Sequence, residues 1–286
     1  MSLTVGILGV PLSVLLPTDA SKPLEQLNET PQALRNAGLL EVIRETGAIV
    51  KDFGDLTLSY PKNAKTFPEL ESTYAIIETQ TEHAARQCDF LLVLGGGCTL
   101  ASGTMRGLTH LYHDLQLLWF DSHADFENQQ TTVSHYLGGM SLSHVVGAAG
   151  DPAILDGKQV TLLSGRGANW TEIMSMRSYG ITHCQPENIQ HWIENDLVEG
   201  NLYIHLDVDV LDLTSMPAVD IAYPPGITKE QLNMALQTIA TKKTLRGLEM
   251  TVYNPYRDPH GIGYETIKEL LTTCIQTLVQ QSSQRS

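Results

Sequence analysis

Short, continuous apolar runs alternate along the whole chain with longer stretches of helical period, and few folds accept that alternation. The runs Leu3–Leu8, Ala48–Asp52, Phe90–Leu94, Leu115–Phe120, Val160–Leu163, Leu202–Val208 and Leu245–Met250 lack the in–out alternation of a half-solvated strand. Strands covered by helices on both faces read this way, as in a mostly parallel sheet. The intervening segments Thr30–Thr46, Glu69–Gln87, Leu137–Ala149, Thr171–Tyr179, Pro186–Asp196, Lys229–Thr241 and Gly263–Gln280 carry the crossover helices. At 286 residues, with no internal repeat and no low-complexity linker, the expectation is one α/β domain over 1–286. It is a three-layer α/β/α unit, with a polar tail, Gln280–Ser286, that frays.

Charge narrows the function. Acids outnumber bases 32 to 18, giving a formal charge of -14. Such a surface repels phosphate backbones and anionic membranes, which argues against nucleic-acid and membrane partners. No run of about 18 apolar residues suggests a membrane span. The apolar start, Met1–Leu16, has no Lys or Arg ahead of it and is interrupted by Gly6, Gly9 and Pro11, so it reads as a buried strand rather than a signal peptide. Four scattered cysteines, Cys88, Cys98, Cys184 and Cys274, form no CxxC pair. A reduced, cytoplasmic setting is expected.

Chemistry concentrates where three strands end. Leu115–Phe120 runs into Asp121-Ser122-His123-Ala124-Asp125, Leu202–Leu206 into Asp207-Val208-Asp209, and Phe90–Leu94 into Gly95-Gly96-Gly97-Cys98-Thr99. In extended backbone, positions two apart share a side, so each Asp pair can converge. In open α/β sheets, ligands sit outside the carboxyl ends of the strands. Each motif alone has an ordinary reading: a capped turn for DxHxD, a tight turn for the glycines, a small buried residue for Cys98. Four aspartates gathered in one crevice would repel one another unless cations neutralise them. Two divalent cations balance four aspartates, with His123 as a neutral ligand. Oxygen-rich coordination with one imidazole suits Mn²⁺, and Zn²⁺ or Ni²⁺ are alternatives. A pair of bridged cations generates hydroxide near neutral pH and polarises a substrate carbon.

These residues resemble the ureohydrolase family: arginases, agmatinases, formimidoylglutamases and guanidinobutyrases. Asp121-Ser122-His123-Ala124-Asp125 resembles its DAHxD motif, and His205-Leu206-Asp207-Val208-Asp209-Val210-Leu211-Asp212 its SxDxDxxDP motif. Gly6–Pro11, Thr30–Arg35 with Ala37–Leu40, Phe53–Leu56, Gly247–Glu249 and Asn254-Pro255 extend the similarity over nearly the whole chain. The resemblance implies an arginase-like fold and a homo-oligomer, trimer or hexamer. It also implies hydrolysis of a C–N bond in a small guanidino or amidino compound by a metal-bound hydroxide. It assigns Asp121 and Asp207 as bridging ligands, Asp125 to the first metal, and His123 with Asp209 to the second. Asp125 would also orient the nucleophile and handle its proton.

Three departures from the family pattern point away from L-arginine as substrate. Cys98 stands where the family has a histidine ligand, and a thiolate there favours Zn²⁺. Val252 stands where the family places its guanidinium-binding Glu, with Glu249 as a nearby carboxylate. In Thr131–Met140, Ser134 is kept but Gly138 replaces a histidine, which makes His135 a candidate catalytic substitute. Ser134, Tyr136 and Glu249 are the candidate substrate contacts. The competing reading is a catalytically silent relative, with one metal or none, acting as a binding or regulatory subunit. A deacetylase-like hydrolase fits less well, since no His-His pair occurs.

Overall fold

A computed structural model describes residues 2–16, 26–242 and 244–284. Eight parallel strands form one sheet: β1 (Thr4–Val10), β2 (Ile49–Asp55), β3 (Phe90–Gly95), β4 (Leu115–Asp121), β5 (Val160–Ser164), β6 (Thr182–Cys184), β7 (Asn201–Asp207) and β8 (Thr244–Thr251). Their spatial order is β2-β1-β3-β8-β7-β4-β5-β6. After β3 the chain passes over two positions to reach β4, and after β6 it returns to fill them with β7 and β8. The carboxyl ends of β3, β8, β7 and β4 therefore lie side by side at the centre of the sheet.

Nine helices are described: α1 (Thr30–Asn36), α2 (Leu39–Glu45), α3 (Glu71–Ala85), α4 (Ala101–Thr109), α5 (Ser141–Val145), α6 (Trp170–Tyr179), α7 (Ile189–Asn195), α8 (Lys229–Lys242) and α9 (Ile262–Gln284). The two faces of the sheet bury separate cores. One packs Ile7, Leu92, Phe120, Ile204 and Leu248 against α1, α2, α7, α8 and α9. The other packs Leu91, Val93, Leu117, Trp119 and Tyr203 against α3, α4, α5 and α6. This is the three-layer α/β/α arrangement the apolar runs imply, with every strand parallel.

The departures from expectation have local causes. The helix expected over Thr30–Thr46 is two helices, because Gly38 adopts φ 89° between them, a conformation that ends a helix. The segment Leu137–Ala149 shortens to a 3₁₀ turn, Gly138–Met140, followed by α5. Rather than fraying from Gln280, α9 continues to Gln284; Arg285 and Ser286 lie outside the described residues. Two elements were not expected from sequence, α4 and the three-residue edge strand β6. No helix among the described residues is long and apolar enough to cross a membrane.

Candidate metal centre

Strand register builds the site. On β4, Leu117, Trp119 and Asp121 share one face; on β7, Tyr203, His205 and Asp207 share that same face. β4 and β7 pair Trp119 with His205, and β7 and β8 pair Asp207 with Thr251. The last residue of each of these three strands therefore delivers a polar group into one plane. Beyond Asp207, a 3₁₀ turn (Val208–Val210) swings Asp209 inward, and Asp207 Oδ1 accepts the Asp209 N–H at 2.8 Å. From β3, the glycine turn brings in Cys98; a side chain at Gly96 would strike the Leu12 carbonyl, with a Cβ only 2.3 Å from that oxygen.

The four aspartates meet. Asp121, Asp125, Asp207 and Asp209 are each 7% exposed or less. Trp119 Nε1 donates to Asp121 Oδ2 at 3.0 Å, and the backbone N–H of His123 donates to Asp121 Oδ1 at 2.7 Å. His123 Nδ1 lies 3.0 Å from Asp209 Oδ2 and 3.5 Å from Asp121 Oδ1. The Cys98 thiol donates to Asp207 Oδ2 at 3.1 Å. Backing the rim, Arg166 Nη2 donates to the Asp209 carbonyl at 3.2 Å and Nη1 to that of Val210 at 3.1 Å, which fixes the turn carrying Asp209.

Electrostatics records the crowding. Burial, then the Asp209 charge, raises Asp121; burial, then Asp121, holds Asp125 well above the carboxylate range; burial, then Asp209 and Asp121, does the same to Asp207. Asp209 goes the other way: burial opposes its charge, but the hydrogen bond from His123 prevails. Burial pulls His123 down, yet its hydrogen bonds to Asp121 and Asp209 push it up to about 12. Burial, then Asp207, Asp125 and Asp121, drives the Cys98 thiol well up. One divalent cation would neutralise several such carboxylates at once. The donor set fits: Asp121, His123 and Asp209 present ligand atoms within 4.8 Å of one another, and so do Cys98, Asp121 and His205.

The backbone of the rim is strained. Asp125, Ser164 and Val252 have φ of 49°, 91° and 69°, unfavourable for side-chain-bearing residues and most so for β-branched Val252. A cavity of about 350 Å³ opens over Asp125 and is lined by Ser134, Tyr136, Glu127, Asn169 and Glu172 among others. Of the candidate substrate contacts, Ser134 and Tyr136 reach it. His135, with φ 54°, sits exposed on the same loop and is not among the lining residues. The structure also corrects Glu249: fully buried below the site, it has one oxygen 2.6 Å from His205 Nδ1 and the other accepting from Thr104, so it does not face the cavity. Sequence reasoning overlooked Glu172 and His205. The second was legible, because His205 is two residues before Asp207 on the same strand face.

With this geometry in place, the family model described as "Arginase family" matches residues 3–276. The chain belongs to the arginase family. Among relatives, the arginase of Agrobacterium fabrum (strain C58 / ATCC 33970) is 27% identical over 297 residues, covering 94% of this chain and 90% of that protein. Arginase-1 of Homo sapiens is 26% identical, covering 89% and 86%. The crystal structure of arginase from Bacillus cereus superposes with a TM-score of 0.85 at 23% identity, covering 96% of this chain and 98% of that one, a likeness in fold. Arginase-family membership makes a hydrolase fold the plain description of this protein.

Proposed function

We propose that this arginase-family protein is a metal-dependent hydrolase of a C–N bond in a small guanidino or amidino compound other than L-arginine. The observation that carries the reading is the gathering of buried Asp121, Asp125, Asp207 and Asp209 with half-buried His123 in one centre that opens on a solvent-reached cavity. Asp121 and Asp207 would be shared by two cations, with Asp125 and Cys98 holding one and His123 with Asp209 the other; Mn²⁺ would suit the oxygen-rich donors. When bound, such a pair supplies a water ionised near neutral pH and an electrophilic pull on the substrate. The chain's own residues do the rest. Asp125, which lines the cavity, would as a carboxylate take a proton from the attacking water and return it to the departing nitrogen.

Binding follows from the walls. Glu127 and Glu172 line the cavity beside Asp125 and draw in a cationic head group. Ser134 and Tyr136 offer hydroxyls to its polar atoms. Val252, apolar and 9% exposed, supplies no carboxylate where an arginase substrate expects one, which supports a substrate other than L-arginine. The family expectation of a trimer or hexamer belongs to the same reading, and sedimentation velocity measures it directly.

Two observations favour a second reading, a silent binding or regulatory subunit: the Cys98 thiol is tied to Asp207, and Val252 is packed into the core. A screen of guanidino and amidino compounds for urea or ammonia release separates the two. Turnover that disappears with a chelator and in Asp207→Ala supports the hydrolase; turnover that survives both removes it.

A further inference from the structure

One layer below the aspartates lies a second polar row. Trp119, His205 and Glu249 face one another in register across β4, β7 and β8. The Trp119 and His205 rings stack with centroids 3.6 Å apart and planes at 14°. Glu249 Oε1 lies 2.6 Å from His205 Nδ1, and Oε2 accepts the Thr104 hydroxyl at 2.5 Å. His205 and Glu249 are both fully buried. Glu249 therefore engages Nδ1 and leaves Nε2 as the ring nitrogen open to another partner. That nitrogen has a long contact of 3.5 Å to Thr251 Oγ1. Thr251 Oγ1 is also 3.5 Å from Cys98 Sγ, which sets Nε2 on the Cys98 side, and Cys98 Sγ, an Asp121 oxygen and a His205 ring nitrogen lie within 4.8 Å of one another. A carboxylate gripping Nδ1 while Nε2 faces a thiol and a carboxylate is how proteins orient an imidazole for a metal.

We propose that His205 Nε2, Cys98 Sγ and Asp121 form a sulfur–nitrogen–oxygen site for Zn²⁺ or a similarly thiophilic cation, with Glu249, Thr104 and Trp119 positioning the imidazole. His205 supplies the imidazole that position 98 does not. The inference rests on the two-cation reading above and refines it. Asp121 is shared with the Asp121–His123–Asp209 group, so the two sites are chemically unlike: one soft, selecting Zn²⁺, the other harder and suited to Mn²⁺. Binding releases the Cys98 thiol proton to solvent and forms a metal–sulfur bond; no electron is transferred. Glu249, which has no place at the cavity, gains a role.

Zinc X-ray absorption on the full chain tests this without relying on turnover. Wild-type protein with one equivalent of Zn²⁺ is expected to show a sulfur neighbour at about 2.3 Å. In His123→Asn, which removes the other imidazole of the cluster from a half-buried position, imidazole scattering is expected to persist, now from His205. In calorimetric titration, His205→Gln is expected to weaken Zn²⁺ binding about tenfold or more, and Glu249→Gln about tenfold, with Mn²⁺ binding unchanged in both. Zinc bound by oxygen alone, or sulfur without imidazole in His123→Asn, overturns the Cys98–His205 site while leaving a two-cation hydrolase standing. Wild-type protein that binds neither cation overturns both readings.

Discussion

On the two-cation reading, the side chain at position 98 sets which metal the centre prefers. Cys98 lies beside three aspartates, and burial with their charges disfavours its thiolate until a cation arrives. Replacing sulfur by imidazole restores a neutral, harder ligand, so Cys98→His is expected to raise Mn²⁺ affinity and lower Zn²⁺ affinity in paired titrations; unchanged preference would place Cys98 outside the coordination shell. A second residue-scale prediction concerns His144, whose ring stacks on Phe67 at 3.8 Å and whose Nδ1 lies 2.6 Å from Ser102 Oγ. Burial, aided by the Arg106 charge, lowers its pKa to about 4 from the usual 6.5. The folded state thus binds its proton less readily than the unfolded chain. Stability from His144 is full above about pH 6.5 and is lost as pH falls toward 4, by at most about 3 kcal/mol. Denaturation of wild type and His144→Phe across that window should show the wild type losing more; parallel profiles would contradict the assignment. At this scale the aspartates were legible because a two-residue spacing on a strand fixes their common side. Glu249 was misplaced because sequence alone shows neither how far below the strand end it lies nor its partner His205.

Packing between elements explains what periodicity missed. Helix α4 carries Gly103 and Gly107, which weaken helix propensity and its sequence signal. The structure supplies their reason. A Cβ at Gly103 would meet Ile77 at 2.6 Å, and one at Gly107 would meet the backbone carbonyl of Glu78 at 2.5 Å, both on α3. These glycines let α3 and α4 approach closely, and α4 begins directly after the Cys98–Leu100 turn. Gly107→Ala is expected to lower unfolding stability by about 1–3 kcal/mol in urea denaturation, because backbone cannot yield as a flexible side chain does. No loss would show that the helices separate freely. The long strands were readable from apolar runs alone, whereas β6, three residues at the sheet edge, is too short to carry a pattern.

For the whole molecule, sheet order does what no local motif can: it brings β3, β8, β7 and β4 together although 156 residues separate Gly95 from Thr251. That convergence was legible only through the family resemblance, since apolar runs announce strands but not their neighbours. On the two-cation reading it also couples metal to folding, because the centre exists only when all four strands are assembled. Metal at about a hundred times its Kd is expected to add about 2.7 kcal/mol to stability, so thermal scans with and without chelator should separate by several degrees. Coincident scans would mean that the fold does not need the cations. The most direct measurement is the metal content of purified protein after exposure to Mn²⁺ and Zn²⁺ and exhaustive desalting. The account predicts near two equivalents of divalent cation per wild-type chain and near none in Asp121→Asn or Asp207→Asn. Near zero in the wild type, with its aspartates intact, would contradict it.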